Sequence, residues 1–524
     1  MPQGSIHDLL LASRLPPETA TALLKPYGFL DPAAADRNLQ QAAEDPTARS
    51  LLASILPEFL ERIGESADPD QALGRFERFL RASISPLEVL TTLRDRPRIL
   101  DLLMTTLGAS SFMAEILFRN PEWFHWLSGP RVLDSARSAA DVEADLGRAL
   151  APLQTDSRRK DALRVAKRRE ILHIGVRDLM RLSSVEETVA ALSELGEGLV
   201  HTAYVLAESG LRHARSLPPL SARRAKGGSG FVVMGMGKLG AGELNFSSDV
   251  DLVYVYASDR GRVSRASTAP TWTSWAKDLS RGVTNALVET TGEGTVYRVD
   301  LRLRPEGRVG PIAHALPSLD RYYRTRGATW ERLALLRAWP VGGDRALGRR
   351  VVERVRPFVF AKPFGPPEAA QILSLKRSLD QKVAQRGEAA RNVKLGIGGI
   401  REVELVAQAL QVRHGRTRAK LRERRTTAAL AALAEARLLP AGEAEVLSKA
   451  YLFLRDVENK LQMVADAQVH VLPDSAAEIR ACALRLGYRD GDGLSAGEAF
   501  LGEHRRQVEA VHRIFEDVFT RLAR

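Results

Sequence analysis

Asp249 and Asp251 stand two residues apart in GMGKLGAGELNFSSDVDLVYVY, residues 235–256. At the start of a strand this spacing sends both carboxylates out of the same face, where they can converge on one metal region. Carboxylates suit hard Mg²⁺, and two such ions about 3.5–4 Å apart clamp the attacking and leaving oxygens of a displacement at phosphorus. A lone Asp-x-Asp pair is common, so its surroundings decide. Upstream, Gly235, Gly237, Gly240 and Gly242 let backbone N–H groups approach phosphate oxygens, and Lys238 adds a point charge. Ser247 and Ser248 precede the acids and can donate further hydrogen bonds, although a glycine-rich turn capped by Asp249 would read the same way. Asp300, in YRVDLRLR (297–304), supplies a third acid. Alternation puts Asp300, Arg302 and Arg304 on one face and Val299, Leu301 and Leu303 on the other, buried one. Arginine there can hold phosphate in bidentate fashion; a solvated face of mutually neutralising charges is the plainer alternative. Three acids on two strands after a Gly/Ser turn form the constellation expected for two-metal nucleotidyl transfer.

The elements that must position these residues form a small α+β unit. FVVMGMG (231–237) and DLVYVY (251–256) read as buried strands, Thr271 to Glu289 has helical spacing, and YRVDLRLR is a third strand stopped by Pro305 and Gly307. On either side the apolar period is helical, in segments such as QALGRFERFLRASI and AAQILSLKRSLDQKVAQR, with Asp, Pro or Ser near the breaks. RRAKGGSG, 223–230, marks a boundary. The predicted division is a helical stretch over 1–222, a catalytic unit over 223–345 and a helical bundle over 346–524, an α+β and mostly helical class.

At 524 residues the chain exceeds one ordinary core. Charged residues make up 27% and no apolar run is long enough to span a bilayer, so no membrane partner is expected. Asp8 and Arg14 fall where a signal peptide needs apolar residues, and the one cysteine, Cys482, excludes an internal disulfide; both suit the cytoplasm. The net charge of +12 favours an anionic partner, although 63 Arg against 13 Lys also fits a bias of base composition.

KLGIGGIREVE (394–404) is a second signature. Gly398 and Gly399 allow a tight turn into a helix carrying Arg401, Glu402 and Glu404 in its first turns. It is either a structural turn or a device by which Lys394 and Arg401 reach back to the cleft and bind a phosphate group or nucleotide. His173, His201 and His414 have no zinc-like spacing, Trp123 and Trp126 suit core packing, and RTRAKLRERR (416–425) reads as a solvated helix face that could dock an acidic partner.

The stretch GMGKLGAGELNFSSDVDL resembles the glutamine synthetase adenylyltransferase/adenylyl-removing enzyme family, a variant of the polymerase β-like nucleotidyltransferases. The resemblance continues through YRVDLRLRPEGRVGPI, NVKLGIGGIREVELVAQALQ and AYLFLRDVENKLQMVADAQVHVLP, and reaches back to SSFMAEILFRNPEWFHWL. It implies a polymerase β-like core with flanking helical domains, Asp249, Asp251 and Asp300 as ligands of Mg²⁺, and a phosphate-binding turn at Lys238 to Gly240. Family members carry two such units, one adding AMP to a tyrosine of glutamine synthetase and one removing it. The ELNFSSD form resembles the amino-terminal, removing unit, which implies phosphorolysis yielding ADP. ATP-dependent addition by the same acids, or a polymerase-fold enzyme acting on RNA, are the alternatives; a nucleic-acid partner is not expected. Glutamine synthetase, phosphate, ADP or ATP, and a PII-type signal protein are the partners the resemblance implies.

Overall fold

Pro32, Pro46 and Pro69 each open a helix immediately after an aspartate, Asp31, Asp45 and Asp68, whose side chain accepts a first-turn N–H. Proline at this position lacks only an N–H that the helix could not have used, so local chemistry dictates these starts. The computed structural model describes residues 5–12, 15–129, 131–219, 229–264, 268–491 and 493–524. Arg14 and most of the expected boundary RRAKGGSG lie outside them. The chain packs into two compact units, each assembled from discontinuous segments. One comprises Met1–Ala136, Ile171–Thr188 and Asp456–His504; the other comprises Arg137–Glu170, Val189–Arg455 and Arg505–Arg524. The expected division followed changes of hydrophobic period, whereas these units follow packing in space.

The first unit is helical. Pro46–Gly64 and Pro69–Ala82 bring Phe59 and Phe76 together at 4.8 Å between ring centroids, and Phe79 meets Phe124 at 5.6 Å. All four are fully buried. Trp123 is also in this core. No single helix among the described residues is long and apolar enough to cross a membrane.

The second unit carries a five-stranded sheet: β1 (Phe231–Gly235), β2 (Val250–Tyr256), β3 (Val299–Asp300), β4 (Ala313–Ala315) and β5 (Trp339–Gly343). Along the main path the order is β3-β2-β1-β5, with β4 also on β2. β1 lies antiparallel to both β2 and β5, while β3 and β4 run parallel to β2. Pro340 is tolerated because β5 is an edge of this path. Helix Trp272–Val288 packs on β2, where Tyr254 and Thr284 hydroxyls meet at 2.8 Å, and helix Arg345–Phe360 packs on β1 and β5. Every residue of β1 and all of β2 except Asp251 is buried. These two central strands are therefore core elements, with Asp251 their one residue that is not fully buried.

Two expectations are corrected. YRVDLRLR is a strand only at Val299 and Asp300, because the Asp300 carboxylate accepts the Arg302 backbone N–H at 2.8 Å and turns the chain. Leu301 and Leu303 are accordingly only half-buried. RTRAKLRERR forms turns around a short 3₁₀ segment at Ala419–Leu421 rather than a helix face, with Arg422 and Arg418 spending their guanidinium groups on backbone carbonyls.

Candidate active site

Antiparallel pairing of β1 and β2 brings the end of β1 and the start of β2 to one end of the sheet. The segment between them holds the glycine-rich turn, a short helix at Gly237–Ala241 and the NFSSD loop. The Met236 N–H donates to the Asp251 carbonyl at 2.9 Å, fixing the turn beside the acid. Gly237 has φ +53°, and a Cβ there would lie 2.5 Å from Asp251 Oδ2; only glycine leaves room for this carboxylate. Gly240 serves another purpose, since a Cβ would sit 1.9 Å from the Arg337 carbonyl oxygen. It allows close backbone packing behind the turn.

The parallel register makes Asp251 and Asp300 direct partners across β2 and β3, and Asp249 shares their face by alternation. Burial, then the nearby Asp300 charge, push the Asp251 carboxyl up to about 6. Lys394 opposes this rise, which puts the KLGIGGIRE turn within electrostatic reach of the acids. Burial works to raise Asp300 as well, but the Arg302 guanidinium and N–H outweigh it and hold that carboxyl below its ordinary value. Arg302 Nε donates to Asp300 Oδ2 at 2.7 Å.

The same register puts Arg298 next to Asp249, a residue sequence reasoning passed over. The Arg298 carbonyl accepts the Val250 N–H at 3.0 Å; its Nε donates to Asp249 Oδ1 at 2.6 Å and its Nη2 to the Ser247 carbonyl at 2.7 Å. The alternation that selected Asp300 and Arg302 also put Arg298 on their face, so the signal was available. Lys238 Nζ donates to Asn245 Oδ1 at 2.6 Å, and the Ser248 hydroxyl accepts the Asn245 N–H at 3.0 Å. Ser248 thus shapes the loop, and Ser247 is held by Arg298. Arg304 departs from the expected face because its guanidinium gathers the carbonyls of Leu301, Pro311, Arg308 and Gly310. Arg401 pairs with Glu404 at 3.1 Å.

A buried polar network backs the turn. Glu243 accepts the Thr426 N–H at 2.6 Å and the Tyr451 hydroxyl at 2.9 Å. Arg337 reaches Glu404 at 2.9 Å and Thr426 Oγ1 at 2.8 Å, while Arg455 donates to the Glu243 carbonyl. Gly398, at φ +68°, comes so close to Val508 that a Cβ would lie 1.9 Å from its carbonyl oxygen, locking the turn that carries Lys394. Most of these pairings join residues far apart in the chain, beyond the reach of any local pattern.

Among the described residues no three His, Cys, Asp or Glu side chains are already converged as a metal cage. Arg298 and Arg302 hold two of the three acids instead. The donor set nevertheless fits a hard divalent cation: all three are carboxylates, and Asp251 is raised by burial and a neighbouring negative charge, the strain that a cation relieves.

The family model for glutamate-ammonia ligase adenylyltransferase matches residues 100–354, and that for GlnD PII-uridylyltransferase matches residues 371–519. The chain is 33% identical over 510 residues to the bifunctional glutamine synthetase adenylyltransferase/adenylyl-removing enzyme of Streptomyces avermitilis, covering 96% of this chain and 47% of that protein. The enzyme of the same name from Streptomyces coelicolor is 34% identical over the same shares, and that from Nitrosococcus oceani is 36% identical over 414 residues, 79% of this chain and 42% of its own. The chain thus spans about half the length of the curated relatives it matches. With the acids, the glycine turn and the second signature all inside the matched regions, the chain belongs to the glutamine synthetase adenylyltransferase family of nucleotidyltransferases.

Proposed function

We propose that the chain removes AMP from the adenylylated tyrosine of glutamine synthetase by phosphorolysis. One observation carries the reading: Asp249, Asp251 and Asp300 are each accompanied by a cationic side chain, Arg298, Lys394 and Arg302. A carboxylate cluster that repelled anions would suit no phosphate nucleophile, whereas this one is balanced by groups that bind it. The ELNFSSD form of the loop supports the removing direction, and the name of the relatives, which covers both activities, is consistent with it.

A phosphate oxygen attacks the adenylyl phosphorus, the bond from phosphorus to the tyrosine oxygen breaks, and the phenolate leaves to take a proton from solvent; the products are ADP and unmodified tyrosine. Mg²⁺ held by Asp249, Asp251 and Asp300 would supply Lewis-acid charge stabilisation. Gly237 leaves space for the Asp251 carboxylate. Arg302 and Lys394 orient the incoming dianion, and Lys238 with Asn245 holds the turn against the adenylyl phosphate. A PII-type regulator is proposed on the match of residues 371–519 to the PII-uridylyltransferase family.

Incubation with adenylylated glutamine synthetase, Mg²⁺ and phosphate should release ADP, and omission of phosphate should leave the AMP in place. Transfer of AMP from labelled ATP to unmodified glutamine synthetase, without phosphate-dependent removal, would replace this direction by the adding one.

A further inference from the structure

The two arginine–aspartate pairs at the site differ from the buried ion pairs behind the turn in how they are exposed. The Arg337–Glu404 pair is locked, with side chains 7% and 6% exposed. Arg298 is 53% exposed above Asp249 at 33%, and Arg302 is 65% exposed above Asp300 at 15%. In both, the arginine is the more exposed partner and the carboxylate the more sheltered one. Ion pairs this exposed are weak, so a divalent cation competes easily for the carboxylate. Arg298 has a second anchor, through Nη2 to the carbonyl and hydroxyl of Ser247 at 2.7 and 3.3 Å, that keeps it in place when Asp249 is taken. Arg302 lies only two residues from Asp300 in the chain, so its displaced guanidinium stays beside the site.

Resting on the metal-dependent reading above, we propose that Arg298 and Arg302 are exchange cations. Each neutralises one metal-binding carboxylate, Asp249 or Asp300, until the metal takes that carboxylate, and the released guanidinium then binds phosphate oxygens of the nucleotide or of the phosphate nucleophile. Without metal the two arginines and Lys394 balance the three carboxylates, and each divalent ion that enters adds positive charge that an arriving phosphate offsets. A metal that takes the carboxylates leaves both guanidinium groups unpaired, and a phosphate group arriving with it finds two bidentate donors beside the acids. Arg298 thereby becomes a phosphate-binding residue, and metal and phosphate binding become coupled through two side chains.

The coupling gives opposite signs for two affinities, which a merely structural role does not. Mn²⁺ binding to the full chain is followed by the spin-resonance signal of free Mn²⁺, and ADP binding in saturating Mn²⁺ by calorimetry. Arg298→Gln should bind Mn²⁺ roughly two- to five-fold more tightly without nucleotide, the size of a half-exposed ion pair, and ADP about ten- to a hundred-fold more weakly. Arg302→Gln should move both in the same directions, and it carries the test alone should Arg298→Gln fail to fold. Arg298→Lys, which keeps the charge, should leave Mn²⁺ affinity near wild type and recover part of the ADP affinity. Weaker Mn²⁺ binding in both glutamine variants, or unchanged ADP affinity, would overturn the exchange and leave the arginines as braces. Asp251→Asn separates this failure from that of the underlying reading: if it binds Mn²⁺ like wild type, or wild type binds none, the metal assignment itself falls and the exchange with it.

Discussion

Glu404 offers a quantitative check on how the site is held. It lies in the first turns of helix Ile400–His414, is buried, and receives Arg337 at 2.9 Å and Arg401 at 3.1 Å. Burial alone would raise its carboxyl, yet the Arg337 charge, followed by that of Arg401, holds it down at about 2 against an ordinary 4.5. At about 1.4 kcal/mol per pH unit this difference is worth ~3 kcal/mol at neutral pH, in line with the ~3–5 kcal/mol expected when one partner of a buried pair is removed. Glu404→Gln should therefore lower the unfolding free energy in urea, followed by tryptophan fluorescence at pH 7, by ~3 kcal/mol. Arg337→Met should cost as much, and the double variant far less than the sum, because neither charge is then left stranded. The carboxyl is depressed in the folded state, so its contribution is complete above about pH 4.5 and is lost as pH falls toward 2; wild type and Glu404→Gln should converge in acid. Since the Arg337 carbonyl packs on Gly240 and its guanidinium lies beside Glu243, ADP affinity should fall along with stability. A loss below ~0.5 kcal/mol, or additive single variants, would refute a buried pair that braces the glycine turn.

Gly240→Ala would force a Cβ within 1.9 Å of the Arg337 carbonyl and 2.4 Å of the Gly235 carbonyl, both backbone, and should cost ~3 kcal/mol or more, read as a fall in melting temperature. Asp249→Asn, Asp251→Asn and Asp300→Asn should each abolish turnover at an unchanged melting temperature, and activity should require Mg²⁺ or Mn²⁺; full activity in chelator or a wild-type rate in Asp251→Asn would refute the assignment. Glu208, buried with Tyr204 and Arg212 as partners, is pushed up to about 7, chiefly by burial. Its contribution is therefore complete below about pH 4.5 and lost as pH rises through 7, and Glu208→Gln should flatten the decline in melting temperature across that window.

Legibility followed the range of the interactions. Helical periods with Asp, Pro or Ser near their breaks, the strands β1 and β2, and the shared face of Asp249 and Asp251 depend on period and on neighbours within a few residues. Sequence pattern therefore reached them. The strand expected over 297–304 failed at Arg302 because a side-chain-to-backbone hydrogen bond overrode alternation, a local competition that Asp regularly wins. Alternation put Arg298 on the face of Asp300 and Arg302, but only the parallel register of β2 with β3 sets it beside Asp249. The network of Glu243, Arg337, Glu404 and Tyr451 was hidden for a stronger reason. Each is a charged or polar residue that pattern assigns to the surface, and only the fold supplies its partner.

The net charge of +12 raised two accounts in sequence, an anionic partner or a bias of composition, and burial separates them in part. Among the described residues the buried charges nearly cancel: eight cations, six of them arginine, against nine acids. The core therefore absorbs none of the positive excess, which lies on the remaining side chains, Arg298 and Arg302 among them. The preference for arginine over lysine also has a structural use. Arg332 gathers the carbonyls of Val359, Lys362 and Pro363 at 2.6–3.1 Å, and Arg304 gathers four more, contacts that need several donors in a fixed plane. A bias of composition explains how many arginines there are; it does not explain why the interior neutralises its own and leaves the surplus outside. The surplus favours encounter with an anionic substrate by steering, an effect that weakens as salt rises. On the exchange proposed above, specific binding is expected from the few guanidinium groups, Arg298 and Arg302 foremost, whose carboxylate partners a metal would take.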